Sequence, residues 1–413
     1  MRDKELYSQI LNIKEPWIIT EVILDREKKT VIIELELTQK AIGICPRCNE
    51  PCPGYDHRVQ RWRHLDTCQY QTIIEAKVLR VNCQQHGILT IKTPWAEDNS
   101  GYTALFEAII IDWLKEASIK AIAEQFRMSW NAVDGIMQRA IERGLAKRDL
   151  KEIKNIGVDE TSYQKRHEYV TVVTDRDKRK VLHIEDDHTI ESLDGFFEQL
   201  TDEQKAGIES VSMDMWPAYI HSVKQHVPGA EEKIGFDKFH VAQQLGKAVD
   251  TVRKIENRKL LAQGQDSLKG TKYQWLTNPK NMLNEKWNEF SVLRKSTLKT
   301  ARAWAIKEAA MGLWNYVNKA WAKKAWKAWY SWAIRSRLNS VKKVARMIDK
   351  HLWGILNAIV LGMTNAHAEG INSRIQHIKK MASGFRNRQR FKNAIYFHLG
   401  DLELYPERLC YWS

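Results

Sequence analysis

The sequence predicts a multidomain α/β protein, and three observations predict it. The first hundred residues are β-patterned and hold five of the six cysteines. Helical periodicity takes over near residue 103. Strands and helices then alternate from 153 to 235, before a long and almost purely helical basic stretch.

Over residues 16–38, Trp17, Ile18, Ile19, Val22, Ile23 and Leu24 make one strand. The alternating run Val31 to Leu37 makes its partner, across a charged turn. In the next segment Ile73, Ile74, Val78, Leu79 and Val81 predict a further strand pair leading into Cys83. Cys45-Pro46-Arg47-Cys48 forms one knuckle, and Cys83-Gln84-Gln85-His86 a second, 35 positions after Cys48. Zinc takes four thiolate or imidazole ligands in a tetrahedron, and two such knuckles around a β-rich stretch suit a structural zinc ribbon. Cys45, Cys48, Cys83 and His86 are the expected Zn²⁺ ligands. Cys52, His57, His64 and Cys68 are spare donors within reach of the same segment. The other reading is a set of buried free thiols.

Ile119, Ile122, Ala123 and Phe126 recur at helical spacing. Ser129 then caps a second helix whose stripe is Val133, Ile136, Met137, Ala140 and Ile141, with Gly144 placed to stop it. The pair predicts a helix-turn-helix. Its second helix would turn Trp130, Asn131, Asp134, Gln138 and Arg139 outward, as a helix entering the DNA major groove requires. Two ordinary packed helices are the plainer alternative.

In the alternating region the strand from Ile153 ends at Asp159, and the strand from Ile208 ends at Asp214. Acidic residues at neighbouring strand ends can share divalent cations, which assist phosphodiester chemistry. Hard ions such as Mg²⁺ or Mn²⁺ prefer such oxygen ligands. Each Asp alone reads equally well as a solvated cap. Residues 364–381 read as a helix with Ile371, Ile375 and Ile378 as its apolar stripe. On another face Asn365, Glu369, Asn372, Gln376 and Lys380 fall within about 80° of one another. Glu369 is therefore placed to add a third carboxylate.

The chain carries a net charge of +14, which points to a polyanionic partner such as nucleic acid. The excess is local. Residues 241–350 hold 24 Lys and Arg against 7 Asp and Glu, with eight of the 16 tryptophans. The lysines and arginines are expected to meet DNA backbone. Trp304, Trp314, Trp321, Trp329 and Trp332 are expected to be core. A charged start and the lack of any long apolar run predict a cytoplasmic, nucleoid-associated protein without a membrane span.

Several ordered motifs now coincide: Asp159 in Gly157-Val158-Asp159-Glu160, Asp214 in Ser212-Met213-Asp214-Met215-Trp216, and Asp237-Lys238-Phe239-His240. They are followed by Asn365-Ala366-His367-Ala368-Glu369-Gly370-Ile371-Asn372 and Ala382-Ser383-Gly384-Phe385-Arg386. The set, with the knuckle and the helix pair before it, resembles the ISL-three family of bacterial insertion-sequence transposases over nearly the whole chain. That resemblance implies an RNase H-like catalytic core with an Asp159-Asp214-Glu369 triad on Mg²⁺ or Mn²⁺. It implies a helical insertion between the second Asp and the Glu, and N-terminal modules that bind terminal inverted repeats. It makes Asp237, His240, Asn365 and Asn372 neighbours of the triad, with a packing role for Asp237 and His240 equally open. Trp130, Asn131, Gln138, Arg139, Lys380 and Arg386 are the expected DNA contacts. His86 departs from the commoner cysteine at the second knuckle, a change zinc tolerates.

The expected division is a zinc-binding domain 1–100, a helix-turn-helix 101–150, a first core part 151–240, the basic insertion 241–355 and a closing core part 356–413. A homodimer or larger synaptic complex on transposon ends and target DNA is expected, because two DNA ends must meet. A non-catalytic DNA-binding regulator and an RNase H-type structure-specific nuclease are the competing readings.

Overall fold

The computed structural model describes residues 3–39, 41–164, 168–296, 298–363 and 366–412. The chain forms two compact units, one of residues 1–148 with 396–413 and one of residues 149–395.

The first unit begins with α1 (Asp3–Ile10), β1 (Trp17–Asp25) and β2 (Thr30–Leu37), then β3 (Gly54–Thr67), β4 (Tyr70–Cys83) and β5 (Gly87–Thr90). The strands form one sheet in the order β1-β2-β4-β3, with β5 paired to the end of β4. Its core gathers Ile33, Ile74 and three tryptophans, with Trp17 and Trp62 edge-on to the fully buried Trp95 at 4.8 and 5.5 Å. Edge-to-face packing of this kind is favourable beyond the area it buries. The pattern around Ile73 marks only part of a long hairpin. Most of the partner, β3, shows mainly polar residues to solvent, so its periodicity is faint.

Three helices follow: α2 (Ala104–Glu116), α3 (Ile119–Gln125) and α4 (Trp130–Lys147). Ser118 and Ser129 cap α3 and α4 by accepting from the Ala121 and Ala132 amides. Between them Arg127 takes a positive φ of 54°, which makes the turn. The buried stripe of α4 is the predicted one. Gly144 does not stop α4, however. It lies buried inside the helix, where a Cβ would come within 2.7 Å of Leu402 Cβ. The glycine is there for close approach, and the helix runs on to Lys147.

The second unit is built on β6 (Asn155–Gln164), β7 (Glu168–Asp175), β8 (Lys180–Asp186), β9 (Ser210–Met213) and β10 (Ile234–Phe236). Helices α5 (Ile190–Phe197), α6 (Asp202–Gly207), α7 (Pro217–His226) and α8 (Ala230–Lys233) connect them. The sheet order is β10-β9-β6-β7-β8. β6, β7 and β8 are an antiparallel meander, while β9 runs parallel to β6 and β10 parallel to β9. Crossovers through helices are what parallel neighbours demand.

A helical series follows: α9 (Lys238–Ala262), α10 (Lys272–Leu276), α11 (Asn284–Arg294), α12 (Lys299–Gly312), α13 (Lys319–Arg335) and α14 (Asn339–Lys350). Trp275, Trp304, Trp326 and Trp329 are buried among these helices, continuous with the core beneath the sheet. Trp321 and Trp332 were expected there too, but are 62% and 42% exposed. Their bulk and apolar character suggested burial, but the helix face they occupy is not the packed one. In α13 the buried positions are Ala322, Trp326, Trp329 and Ala333, a stripe to one side of both.

Then come α15 (Leu352–Val360), α16 (Ala366–Met381) and α17 (Arg388–Leu399). α15 covers the edge strand β10. A Cβ on Gly354 would sit 2.5 Å from the Phe236 ring, and the Asn357 amide donates to the Glu231 and Ile234 carbonyls. An otherwise unpaired strand edge is satisfied in this way. Among the described residues no helix is long and apolar enough to cross a membrane.

Candidate functional sites

The register of the sheet assembles the first site. β6 and β9 run parallel with Gly157 opposite Ser212. Two residues on, Asp159 and Asp214 stand side by side where β9 stops. β6 does not end at Asp159 as its sequence pattern suggested. It continues to Gln164, because the antiparallel β7 keeps pairing with it beyond that point.

Both carboxylates line one pocket with Arg176, Asp237, His240 and Asn372. The Asp159 carboxylate accepts from the Glu160 amide at 2.8 Å and from the Asn372 side-chain amide at 2.7 Å. Asp214 accepts from the Trp216 amide at 3.0 Å. Asp237 caps α9 by accepting from the Phe239 amide at 2.8 Å, and its side chain is only 8% exposed. His240, one turn into α9, places Nε2 3.9 Å from Asp159 and 4.0 Å from Asp237.

The electrostatics fit a cation-binding pocket. Burial, opposed by His240 and reinforced by the Asp159 charge, raises the Asp214 carboxyl above its ordinary range. Burial and the Asp214 charge do the same to Glu160. Gathered carboxylates repel one another unless a positive charge joins them. Arg176 supplies part of it. Burial lowers its pKa, the charges of Asp177 and then Asp237 pull the other way, and its guanidinium donates to Ser210 Oγ at 3.3 Å. A divalent cation suits the remaining oxygen donors.

α16 packs beside β6 through Ile371, Ile375 and Ile378, all buried, and through Lys379, whose ammonium donates to the Ser162 carbonyl at 2.6 Å. Glu369 lies in this helix, three residues before Asn372. The Glu369 side chain and the whole of Asn365 lie outside the described residues. Lys380 and Arg386 are exposed. Arg176 and Lys379 escaped the sequence reading. Arg176 occupies a charged turn that looks like any solvated loop, and only the sheet order brings it to the carboxylates.

The second site is the cysteine cluster. One ligand atom each from Cys45, Cys48, Cys83 and His86 falls within 4.8 Å of all the others. Cys48 and Cys83 sulfurs are 3.7 Å apart, and His86 Nδ1 is 3.7 and 3.5 Å from Cys45 and Cys83. Zn–S bonds of about 2.3 Å in a tetrahedron put sulfurs about 3.8 Å apart, so the arrangement fits zinc. Within each knuckle the backbone favours thiolate. The Cys48 amide lowers Cys45, and the Gln85 and His86 amides bring Cys83 to about 7, while Cys48, against its Glu50 amide, is held up to about 11 by the thiols crowded round it. Of the spare donors, Cys52 lies beside the cluster, where burial and the neighbouring Cys83 raise its thiol. His64 is buried on Thr103 Oγ1 at 2.9 Å, and burial pushes it down to about 4. Cys68 is exposed in a turn.

On α4, Trp130, Asn131 and Gln138 are exposed and Asp134 half-buried. Arg139 departs from its expected outward role. Its guanidinium is engaged by the fully buried Glu107 carboxylate, which Ser100 Oγ also meets at 2.8 Å. A buried carboxylate needs such a partner, and its presence 32 residues away is invisible to helix periodicity.

Three family models match the chain in order. Residues 43–86 match a zinc-finger of transposase IS204/IS1001/IS1096/IS1165. Residues 91–141 match the helix-turn-helix domain of transposase family ISL3, and residues 156–395, more than half the chain, match a transposase model of the same family. A Mycobacterium tuberculosis protein named transposase for insertion sequence element IS1557 is 26% identical over 420 residues, covering 94% of both chains. The transposase for insertion sequence element IS1001 of Bordetella parapertussis is 27% identical over 368 residues, covering 88% of this chain and 90% of its own.

Proposed function

The chain belongs to the transposase family ISL3, and from that premise we propose that it cuts and joins DNA with Asp159, Asp214 and Glu369 as the ligands of Mg²⁺ or Mn²⁺. One observation carries the reading. Asp159 and Asp214 share a pocket, and Asn372, on the helix that carries Glu369, holds the Asp159 carboxylate.

When bound, the cations supply charge stabilisation to the attacking and leaving oxygens of an in-line displacement. The chain's own groups prepare that site. Asn372 and the Glu160 amide fix Asp159, the Trp216 amide fixes Asp214, and His240 and Arg176 moderate the negative charge. Water is the nucleophile at a transposon end, and the freed 3′-hydroxyl then attacks target DNA. A meander leading into parallel crossovers, with acidic residues on its first and fourth strands, supports an RNase H-like core. The basic helices between Asp214 and Glu369 are read as an insertion into it.

In this proposal the zinc ribbon and helix-turn-helix bind the terminal inverted repeats through the exposed Trp130, Asn131 and Gln138. Lys380 and Arg386 meet phosphate nearer the chemistry. The working form is a dimer or larger synaptic complex at the nucleoid, since two ends are processed together. The domain division given above, 1–100, 101–150, 151–240, 241–355 and 356–413, belongs to the same reading.

The test is Asp159→Asn, with Glu369→Gln beside it. Each is expected to keep affinity for terminal-repeat DNA in a gel-shift assay and to lose cleavage in Mg²⁺. Full cleavage by either variant sinks the assignment. Cleavage of branched or hybrid substrates in preference to repeat ends would return the nuclease reading.

A further inference from the structure

A second cavity, of about 460 Å³, opens beside the carboxylate pocket and shares Asp214 and His240 with it. It runs between α9 and α14. α9 lines it with Gln244, Lys247 and Thr251 beyond His240, and α14 with Ser340, Lys343 and Met347. Both sets follow helical spacing, so each is one face of its helix. Helices that face each other normally bury apolar stripes along such a seam. Here the buried Ala248 and Val344 also line the cavity, beside the polar side chains, and Ser340 Oγ donates to the Ala248 carbonyl at 3.1 Å between the helices.

The lining has two characters. Lys247 and Lys343 are exposed. The Lys247 ammonium donates to the Gln243 side chain at 3.2 Å, and neither lysine pairs with a carboxylate among the described residues. At the mouth, Trp216 is 42% exposed and firmly held. Its Nε1 donates to the His188 carbonyl at 2.9 Å, and its ring lies 5.2 Å from the His188 ring.

We propose that this groove holds an unpaired DNA strand leading away from the scissile phosphate, with phosphates on Lys247 and Lys343 and a base stacked on Trp216. The proposal rests on the phosphodiester chemistry assigned to Asp159 and Asp214. A strand with one phosphate at Asp214 enters the groove directly, because that residue lines both cavities. The volume is that of a small-ligand pocket and admits single nucleotides, not a duplex. A fixed aromatic face with ammonium groups along its continuation is the pattern that binds single strands without reading their sequence.

The experiment uses the full chain and a fluorescein-labelled thymidine strand of about eight nucleotides, a length within the usual single-strand site size. Binding is followed by fluorescence anisotropy across a salt series without Mg²⁺. Trp216→Ala is expected to weaken binding about 10-fold or more, the usual effect of losing one base stack. Lys247→Gln with Lys343→Gln is expected to lower the slope of log affinity against log salt by about 1.4, the value for two lost single-strand phosphate contacts. Lys343→Arg in place of Lys343→Gln is expected to restore half of that slope. Unchanged affinity and slope across these exposed substitutions overturn the groove. Cleavage of transposon ends in Mg²⁺ is read separately on the wild-type chain. Cleavage there with unaltered strand binding by the variants removes the groove and leaves the chemistry. Absence of cleavage removes the chemistry, and with it the scissile-phosphate end of this proposal.

Discussion

Asn372 holds Asp159 through one hydrogen bond of 2.7 Å, from a helix that its buried isoleucines and Lys379 already set beside β6. Groups that orient a metal ligand typically account for about 10- to 100-fold in affinity or activity. Asn372→Ala is therefore expected to raise the Mg²⁺ concentration for half-maximal cleavage by about that factor, with most of the rate recovered at saturating metal. A titration of cleavage rate against Mg²⁺ checks it, and an unchanged midpoint removes the orienting role. Legibility in the sequence divides at this scale. Asp214 and Asn372 were readable because a strand end and a polar helical stripe are local patterns, while Asp159 was picked out at an end its strand does not have. Arg139 was misread and Arg176 missed because the buried Glu107 beside the one and the carboxylate pocket beside the other are brought to them only by tertiary structure.

Elements were legible wherever one face is consistently apolar. The second helix of the helix pair, with its serine cap and buried stripe, and the Ile371, Ile375 and Ile378 stripe of α16 were of this kind. β3 was faint because most of its residues face water. Gly144 was misassigned because a glycine that ends a helix and one that admits a neighbour look alike in sequence. Gly354 shows the second use on a different helix. In α15, an added methyl would meet the Phe236 ring at 2.5 Å and part the helix from β10. Alanine favours a helix interior over glycine by about 1 kcal/mol. Overpacking a fitted contact costs about 1–3 kcal/mol, so the clash outweighs the propensity gain. Gly354→Ala is expected to lower the thermal midpoint of unfolding, and a raised midpoint would show that the interface yields freely.

At the scale of the whole chain, the zinc-ribbon cluster and the carboxylate pocket fall in different compact units. In the first, the cluster is tied to the sheet, since Cys83 is the last residue of β4. Small zinc-binding modules take much of their folding free energy from the ion. A chelator strong enough to strip zinc is therefore expected to increase hydrogen exchange in β4 and β5 while leaving the amides of β6 to β10 protected. Protection retained in β4 would mean that the Trp17, Trp62 and Trp95 core suffices alone. Charge is also divided. Residues 241–350 carry a net +17, so the remainder of the chain is slightly acidic. That imbalance was plain in the sequence, but which cations face an open groove and which a carboxylate was not.

Asp237 starts α9 and lines the carboxylate pocket, and His240 follows one turn later. The same helix carries Lys247 and Thr251 along the groove. One helix thus lines both cavities, with a carboxylate and an imidazole at its start and cationic and hydroxyl groups further along. Linkage is reciprocal for binding free energies. If a strand in the groove changes ion affinity at the carboxylates, ion binding changes strand affinity by the same factor.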